Sequence, residues 1–200
     1  MRLTISHSVS GCQIPLQNTG LKILLIQYAK LINLSFKQQG PTMTISTGDK
    51  IPSGTFKTMT SEGPTDITSD DIFAGKKVAI FAVPGAFTPT CSATHLPGFV
   101  VNIDAIKAKD VDTVVCMSVN DVFVMGAWGQ ASNAEHILML ADGNATFTEA
   151  LGLQMDGSGF GMGIRSQRFA MIVNNKTVEY LGIDDGALEA SSAEAVLAAL

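Results

Sequence analysis

Cysteine is scarce in this 200-residue chain, with three residues, Cys12, Cys91 and Cys116. Three cannot build a framework of several disulfides, and no pair has the C-x-x-C spacing of a dithiol redox motif. Such usage fits a reducing compartment, where a lone cysteine is kept for reactivity or packing. Charge is also sparse, at 16% of residues, and the net charge is −5. The imbalance is local. Residues 1–42 contain Arg2, Lys22, Lys30 and Lys37 but no Asp or Glu, so residues 43–200 carry all 18 acids against nine basic residues. A domain this acidic, with few basic clusters, argues against nucleic acid as a partner class and against docking on an anionic membrane. Long hydrophobic runs are missing too. The apolar stretch Leu21–Ile32 is short and interrupted by Lys22 and Lys30, which rules it out as a membrane span. The glycine-rich run 157–163 lacks the Gly-Lys-Ser/Thr ending of a phosphate loop, and no segment repeats.

What is present is an ordinary globular composition. At 46% apolar residues the chain can bury a sizeable core, and its length suits one domain. Gly40-Pro41 marks the boundary between an extension (1–42) and that domain (43–200). The extension is expected to be poorly ordered. Its basic, acid-free composition resembles an organelle transit peptide. The preferred reading is a chain starting at Met43 and working in the cytoplasm, with an organelle such as the mitochondrion as the alternative.

Val78–Val83 is a continuous apolar run, as expected of a strand covered on both faces. Pro84, Gly85 and Pro89 then shape a tight loop that ends at Cys91, where a helical pattern begins. Backbone N–H groups in a helix's first turn lack internal partners and favour negative charge. A thiolate is negative, so this address suits a reactive cysteine. A strand-to-helix loop is also not a core position, which argues against Cys91 as a mere packing residue.

Along the rest of the chain, Gly54–Thr60 reads as a β segment followed by a turn at Gly63-Pro64. A helical turn near Thr68–Phe73 is expected to be capped by Ser69 or Asp70. The helix from Cys91 to Lys109 contains Pro97-Gly98 and should break into two segments at an angle. Strands follow at 112–119 and 135–140, separated by a helix that Asn120-Asp121 caps and that runs to about Ala131. A short helix is expected over 146–151. Residues 168–174 and 177–183 form a hairpin about Asn174-Asn175. Ser191-x-x-Glu194 reads as a capping box opening the last helix. This order implies an α/β fold of thioredoxin-like type, a central mixed sheet flanked by helices.

The string Pro84-Gly85-Ala86-Phe87-Thr88-Pro89-Thr90-Cys91-Ser92, followed by Thr94-His95-Leu96-Pro97-Gly98-Phe99, resembles the active-site signature of type II (peroxiredoxin-5-like) peroxiredoxins. The resemblance runs from about Met43 to Leu200. It includes Ser118–Asp121, Trp128-Gly129, Leu140–Gly143, Gly163–Ser166 with Arg168–Ala170, and Ser191–Glu194. It implies a thioredoxin-like fold and a thiol-specific peroxidase that reduces hydrogen peroxide and alkyl hydroperoxides without metal, haem or flavin. By resemblance Cys91 is the peroxidatic cysteine, whose thiolate becomes a sulfenic acid. Thr88 can donate to a thiolate or a peroxide oxygen and can accept the peroxide's proton. Pro84 would shield the thiolate from water. Arg168 opens an apolar strand, where a cation needs an anionic partner. Only the resemblance puts it beside Cys91. Arg165 ranks behind it, as a surface or loop charge.

Cys116 falls inside a strand and is expected in the core. A resolving role would require local unfolding. The family's other resolving position, in the loop 184–192, holds no cysteine here. That departure favours an external thiol donor, glutathione with glutaredoxin first and thioredoxin second. His95, one helical turn after Cys91, reads as a structural helix residue. Trp128, Phe123 and Met125 read as core, with the edge of a homodimer as the alternative. The rival functions are a thiol–disulfide oxidoreductase on the same fold and a redox-sensing protein without turnover.

Overall fold

The computed structural model describes residues 43–200, and the expectations for residues 1–42, Cys12 included, lie outside them. Strands β1 (Thr55–Thr60) and β2 (Gly63–Thr68) form a hairpin, and the short helix α1 (Ser69–Phe73) leads to β3 (Lys77–Val83). A π-helical turn (Cys91–His95) runs straight into α2 (Leu96–Lys107), followed by β4 (Thr113–Ser118), α3 (Val122–Ala131) and β5 (Ile137–Ala141). Helix α4 (Thr146–Ala150) precedes the small hairpin of β6 (Gln154–Asp156) and β7 (Ile164–Ser166). Then come β8 (Arg168–Asn174), β9 (Thr177–Asp184) and α5 (Ala193–Ala199).

Among the described residues, seven strands form one mixed sheet in the order β2-β1-β5-β4-β3-β8-β9. β3, β4 and β5 are parallel, joined by helical crossovers, and the outer pairs are antiparallel. β3 is buried on both faces because its side chains alternate between two cores. Ala79, Phe81 and Val83 pack with α2, α3 and α5, while Val78, Ile80 and Ala82 pack with α1 and α4. This is the expected thioredoxin-like α/β fold.

Local chemistry moves several boundaries. Gly63-Pro64 opens β2 rather than forming the turn, which lies at Ser61-Glu62. Pro64 is tolerated because β2 is an edge strand. Thr68, not Ser69 or Asp70, caps α1. Its hydroxyl accepts from the Asp71 N–H at 3.2 Å, and the Asp71 carboxylate accepts from the Thr68 N–H at 2.9 Å. The two helical segments after Cys91 meet at His95/Leu96, so Pro97 sits in the first turn of α2, where its missing N–H costs little. The β8–β9 turn is Asn175-Lys176, one residue later than expected, with both residues at positive φ, as a two-residue hairpin turn requires. Ser192, not Ser191, caps α5, and its hydroxyl accepts from the Ala195 N–H at 3.1 Å. Ser191 is otherwise engaged, as described below. The β6–β7 hairpin, three residues a side, is too short to show periodicity. The glycine run is its loop.

Candidate active site

The site forms where β3 ends. Antiparallel pairing sets Ala82 opposite Phe169, which brings Arg168 to the C-terminal end of β3, beside the loop that follows it. Asn120 holds that loop, its side-chain oxygen accepting from the Ala86 N–H at 2.9 Å and from the Ser118 hydroxyl at 2.8 Å. Phe87 takes a left-handed conformation (φ 61°) and turns its ring outward. The Thr88 hydroxyl donates to the Gly85 carbonyl at 2.8 Å, and the Thr88 carbonyl accepts from the Ser92 N–H at 3.0 Å. These bonds start the helical turn that carries Cys91.

Cys91 has 0% exposure. A loop address had suggested a non-core position. However, the first turn after the loop is tucked under α3 and the sheet end, and Cys91 joins the core on the α2 side. Arg168, also buried, points Nη2 at the Cys91 Sγ at 3.6 Å and Nη1 at His95 Nδ1 at 3.0 Å. Among the described residues the ion pairs are Lys57–Asp66 and Lys176–Asp70, so no carboxylate lies within 4 Å of the Arg168 guanidinium. A buried guanidinium needs acceptors for its N–H groups, and those facing it here are the Cys91 sulfur and the His95 ring.

His95 is buried between Arg168 and the loop after β9. Its Nε2 lies 2.9 Å from the Ser191 carbonyl. Its pKa is lowered from 6.5 to about 4, first by burial and then by the Arg168 charge, against opposing effects of the Ser191 carbonyl and Asp184. The ring is therefore neutral at ordinary pH. The sequence reading of His95 as a structural helix residue does not include this contact with Arg168. The available signal was the four-residue spacing from Cys91, which alone also fits a structural histidine.

Arg165 is half-buried and does not contact the sulfur. It clasps two loops, donating from Nε to the Met162 carbonyl at 2.9 Å and from Nη1 to the Val119 carbonyl at 2.8 Å. This ties the glycine-rich loop to the neighbourhood of Gly85. Pro84 lines a cavity of about 460 Å³ with Gln167, Arg168, Asp184 and Asp185. Trp128 and Met125 are buried, and the Trp128 Nε1–H donates to the Ser92 Oγ at 3.1 Å. Phe123, on the other face of α3, is 66% exposed.

Cys116 lies in β4 opposite Phe81, in the same core as Cys91, and both cysteines are free. Burial pushes the Cys116 thiol well above its usual pKa, and the neighbouring Cys91 adds to the shift. Among the described residues no group of three or more His, Cys, Asp or Glu gathers as a metal set, and no helix is long and apolar enough to cross a membrane.

The family profile described as Redoxin matches residues 46–197. Peroxiredoxin-2D of Arabidopsis thaliana is 43% identical over 159 residues, 78% of this chain and 98% of its own. The chloroplastic peroxiredoxin-2E-2 of Oryza sativa subsp. japonica is 45% identical over 165 residues, 78% of this chain and 73% of its own. The crystal structure of reduced Prx3 from Vibrio vulnificus in complex with hydrogen peroxide matches with a TM-score of 0.76 at 55% identity, covering 78% of this chain and 99% of that one. A thioredoxin-like sheet that carries one thiol to a strand-borne guanidinium defines a thiol peroxidase. The chain belongs to the peroxiredoxins, in their type II, peroxiredoxin-5-like branch.

Proposed function

We propose that Cys91 is the peroxidatic cysteine, that Thr88, Arg168 and the Cys91 backbone N–H bind and polarise the peroxide, and that Pro84 shields the sulfur from water. The observation that carries this reading is the buried guanidinium 3.6 Å from Sγ, without a carboxylate in direct contact. The Cys91 thiolate attacks one peroxide oxygen. The O–O bond breaks, the leaving oxygen takes a proton and departs as water or an alcohol, and Cys91 becomes a sulfenic acid. Arg168 stabilises the negative charge that grows on the departing oxygen. The Thr88 hydroxyl gives its single proton to Gly85 and keeps lone pairs to accept the peroxide's own proton. The chemistry needs no prosthetic group.

Recycling is by an external thiol. Glutathione with glutaredoxin is the favoured donor and thioredoxin the second. One thiol displaces water from the sulfenic acid to give a mixed disulfide, and a second thiol releases Cys91. Cys116, buried mid-strand with its thiol held protonated, is a poor internal attacker. The functional unit is residues 43–200, acting in the cytoplasm. The chloroplastic rice relative favours the second reading, an organelle enzyme with residues 1–42 as its leader. A homodimer is proposed through the exposed apolar side chains of the loop before Cys91 and of α3, Phe87 and Phe123.

Intact mass after one equivalent of hydrogen peroxide, with and without glutathione, tests the cycle. The expected products are a sulfenic acid and then a glutathione adduct on Cys91. Cys91→Ser abolishes turnover, whereas Cys116→Ser keeps at least part of it. A Cys91–Cys116 disulfide, or a folded but inactive Cys116→Ser, overturns the external-donor cycle.

A further inference from the structure

We propose that His95 is a positioning residue for peroxide reduction: held by the loop that Asp184 clasps, it fixes the Arg168 guanidinium on the Cys91 sulfur. The inference rests on the roles of Cys91 and Arg168 proposed above and adds a residue and a loop to them.

Hydrogen-bond logic fixes the ring. The Ser191 carbonyl can only accept, so His95 Nε2 carries the proton. Arg168 Nη1 can only donate, so His95 Nδ1 presents its lone pair to it. The ring packs against the stacked pair Phe81 and Phe99, with centroids at 5.0 and 5.7 Å, and cannot swing freely. A guanidinium is a rigid planar fork, so anchoring Nη1 also sets the direction of Nη2 toward sulfur. A carboxylate in the same seat would anchor the fork but neutralise it. A neutral imidazole orients the cation and leaves its charge for the sulfur and the leaving oxygen.

The Ser191 carbonyl is itself fixed. Asp184 accepts from the N–H groups of Glu189, Ala190 and Ser191 at 3.0, 2.8 and 2.9 Å, and from the Ser191 hydroxyl at 2.7 Å. Asp184 is the cross-strand partner of Arg168, yet its carboxylate serves this loop and not the guanidinium. The resulting path runs from Asp184 through the Ser191 backbone and the His95 ring to Arg168 and Cys91. It also accounts for Ser191, which gives its hydroxyl to the clasp while Ser192 caps α5.

The test is a double-mutant cycle on the full chain. The readouts are the rate of Cys91 oxidation by hydrogen peroxide, followed by Trp128 fluorescence, and the rate of alkylation by iodoacetamide. His95→Leu is expected to slow oxidation roughly 10- to 100-fold, by displacing a transition-state donor, while alkylation changes only a few-fold. His95→Gln, which can accept from Arg168 and donate to Ser191, should restore oxidation to within about threefold. In an Arg168→Ala background, His95→Leu should cost less than about twofold more, because it acts through Arg168. Full additivity, a Gln variant no better than Leu, or a wild-type oxidation rate in His95→Leu overturns the proposal. Should His95→Leu not fold, the cycle is run with Asp184→Asn, where a wild-type rate in folded protein has the same consequence. If Arg168→Ala oxidises as fast as wild type, the reading of Arg168 falls and this inference with it. If Arg168→Ala is slow and His95→Leu is not, only this inference falls.

Discussion

Thr88 has one hydroxyl proton, and the Gly85 carbonyl holds it. In the role proposed above it therefore serves peroxide as an acceptor, which distinguishes two substitutions. Thr88→Ser keeps the oxygen and should stay within about threefold of wild type in kcat/KM for hydrogen peroxide, whereas Thr88→Val should lose roughly 10- to 100-fold. Stopped-flow peroxide consumption separates them. His95 makes a second prediction, on stability. The folded protein keeps the ring neutral down to about pH 4, while the unfolded chain takes up a proton near 6.5. The unfolded state thus binds more protons between these values, and stability falls as pH drops through that window. The difference corresponds to about 3 kcal/mol that is present at neutral pH and lost by about pH 4. Urea unfolding between pH 7 and pH 4 should show the slope, and His95→Gln should flatten it.

Elements matter here chiefly by how they end. The β8–β9 hairpin supplies Arg168 as the first residue of β8 and Asp184 as the last of β9, side by side at its open end, and the loop beyond Asp184 folds back on β9. Gly182 makes that return possible. A Cβ on it would lie 2.1 Å from the Ala190 carbonyl oxygen and 2.6 Å from the Tyr180 hydroxyl. Backbone cannot give way as a flexible side chain can, so Gly182→Ala must push the loop outward. The expected cost is about 1–3 kcal/mol, a fall in Tm of several degrees, measured by thermal unfolding. Peroxide oxidation should slow as well, since the Ser191 carbonyl moves with the loop. The π turn is a second such ending. A wider turn spaces Cys91 and His95 so that both reach Arg168, a placement that residue counting on an α-helix does not specify.

At the scale of the whole molecule, several large apolar side chains face outward, Phe87 and Phe123 among them. Phe87 is 57% exposed on the loop before Cys91, and Phe123 is 66% exposed on α3. If they form the proposed dimer edge, Phe123→Glu should shift sedimentation velocity toward monomer at micromolar concentration while the Tm stays within a few degrees. An unchanged sedimentation coefficient removes this face from consideration.

The sheet was legible in the chain itself. Val78–Val83 is apolar at every position because both faces of β3 are covered, and Asp121 sits where a helix needs a cap, accepting from the N–H groups of Phe123 and Val124. The loop Pro84–Cys91 was legible for the same reason: proline, glycine and a helix start are local signals carried by adjacent residues. Arg168 beside Cys91 was not, since the two are 77 positions apart and meet only through the β3–β8 register. The burial of Cys91, the turn of Asp184 away from its cross-strand arginine and the bridging ring of His95 were also settled by packing. Short-range chemistry fixes which element a residue enters. Which side chains share a dry pocket depends on strand pairing and helix crossovers, and no local pattern records those.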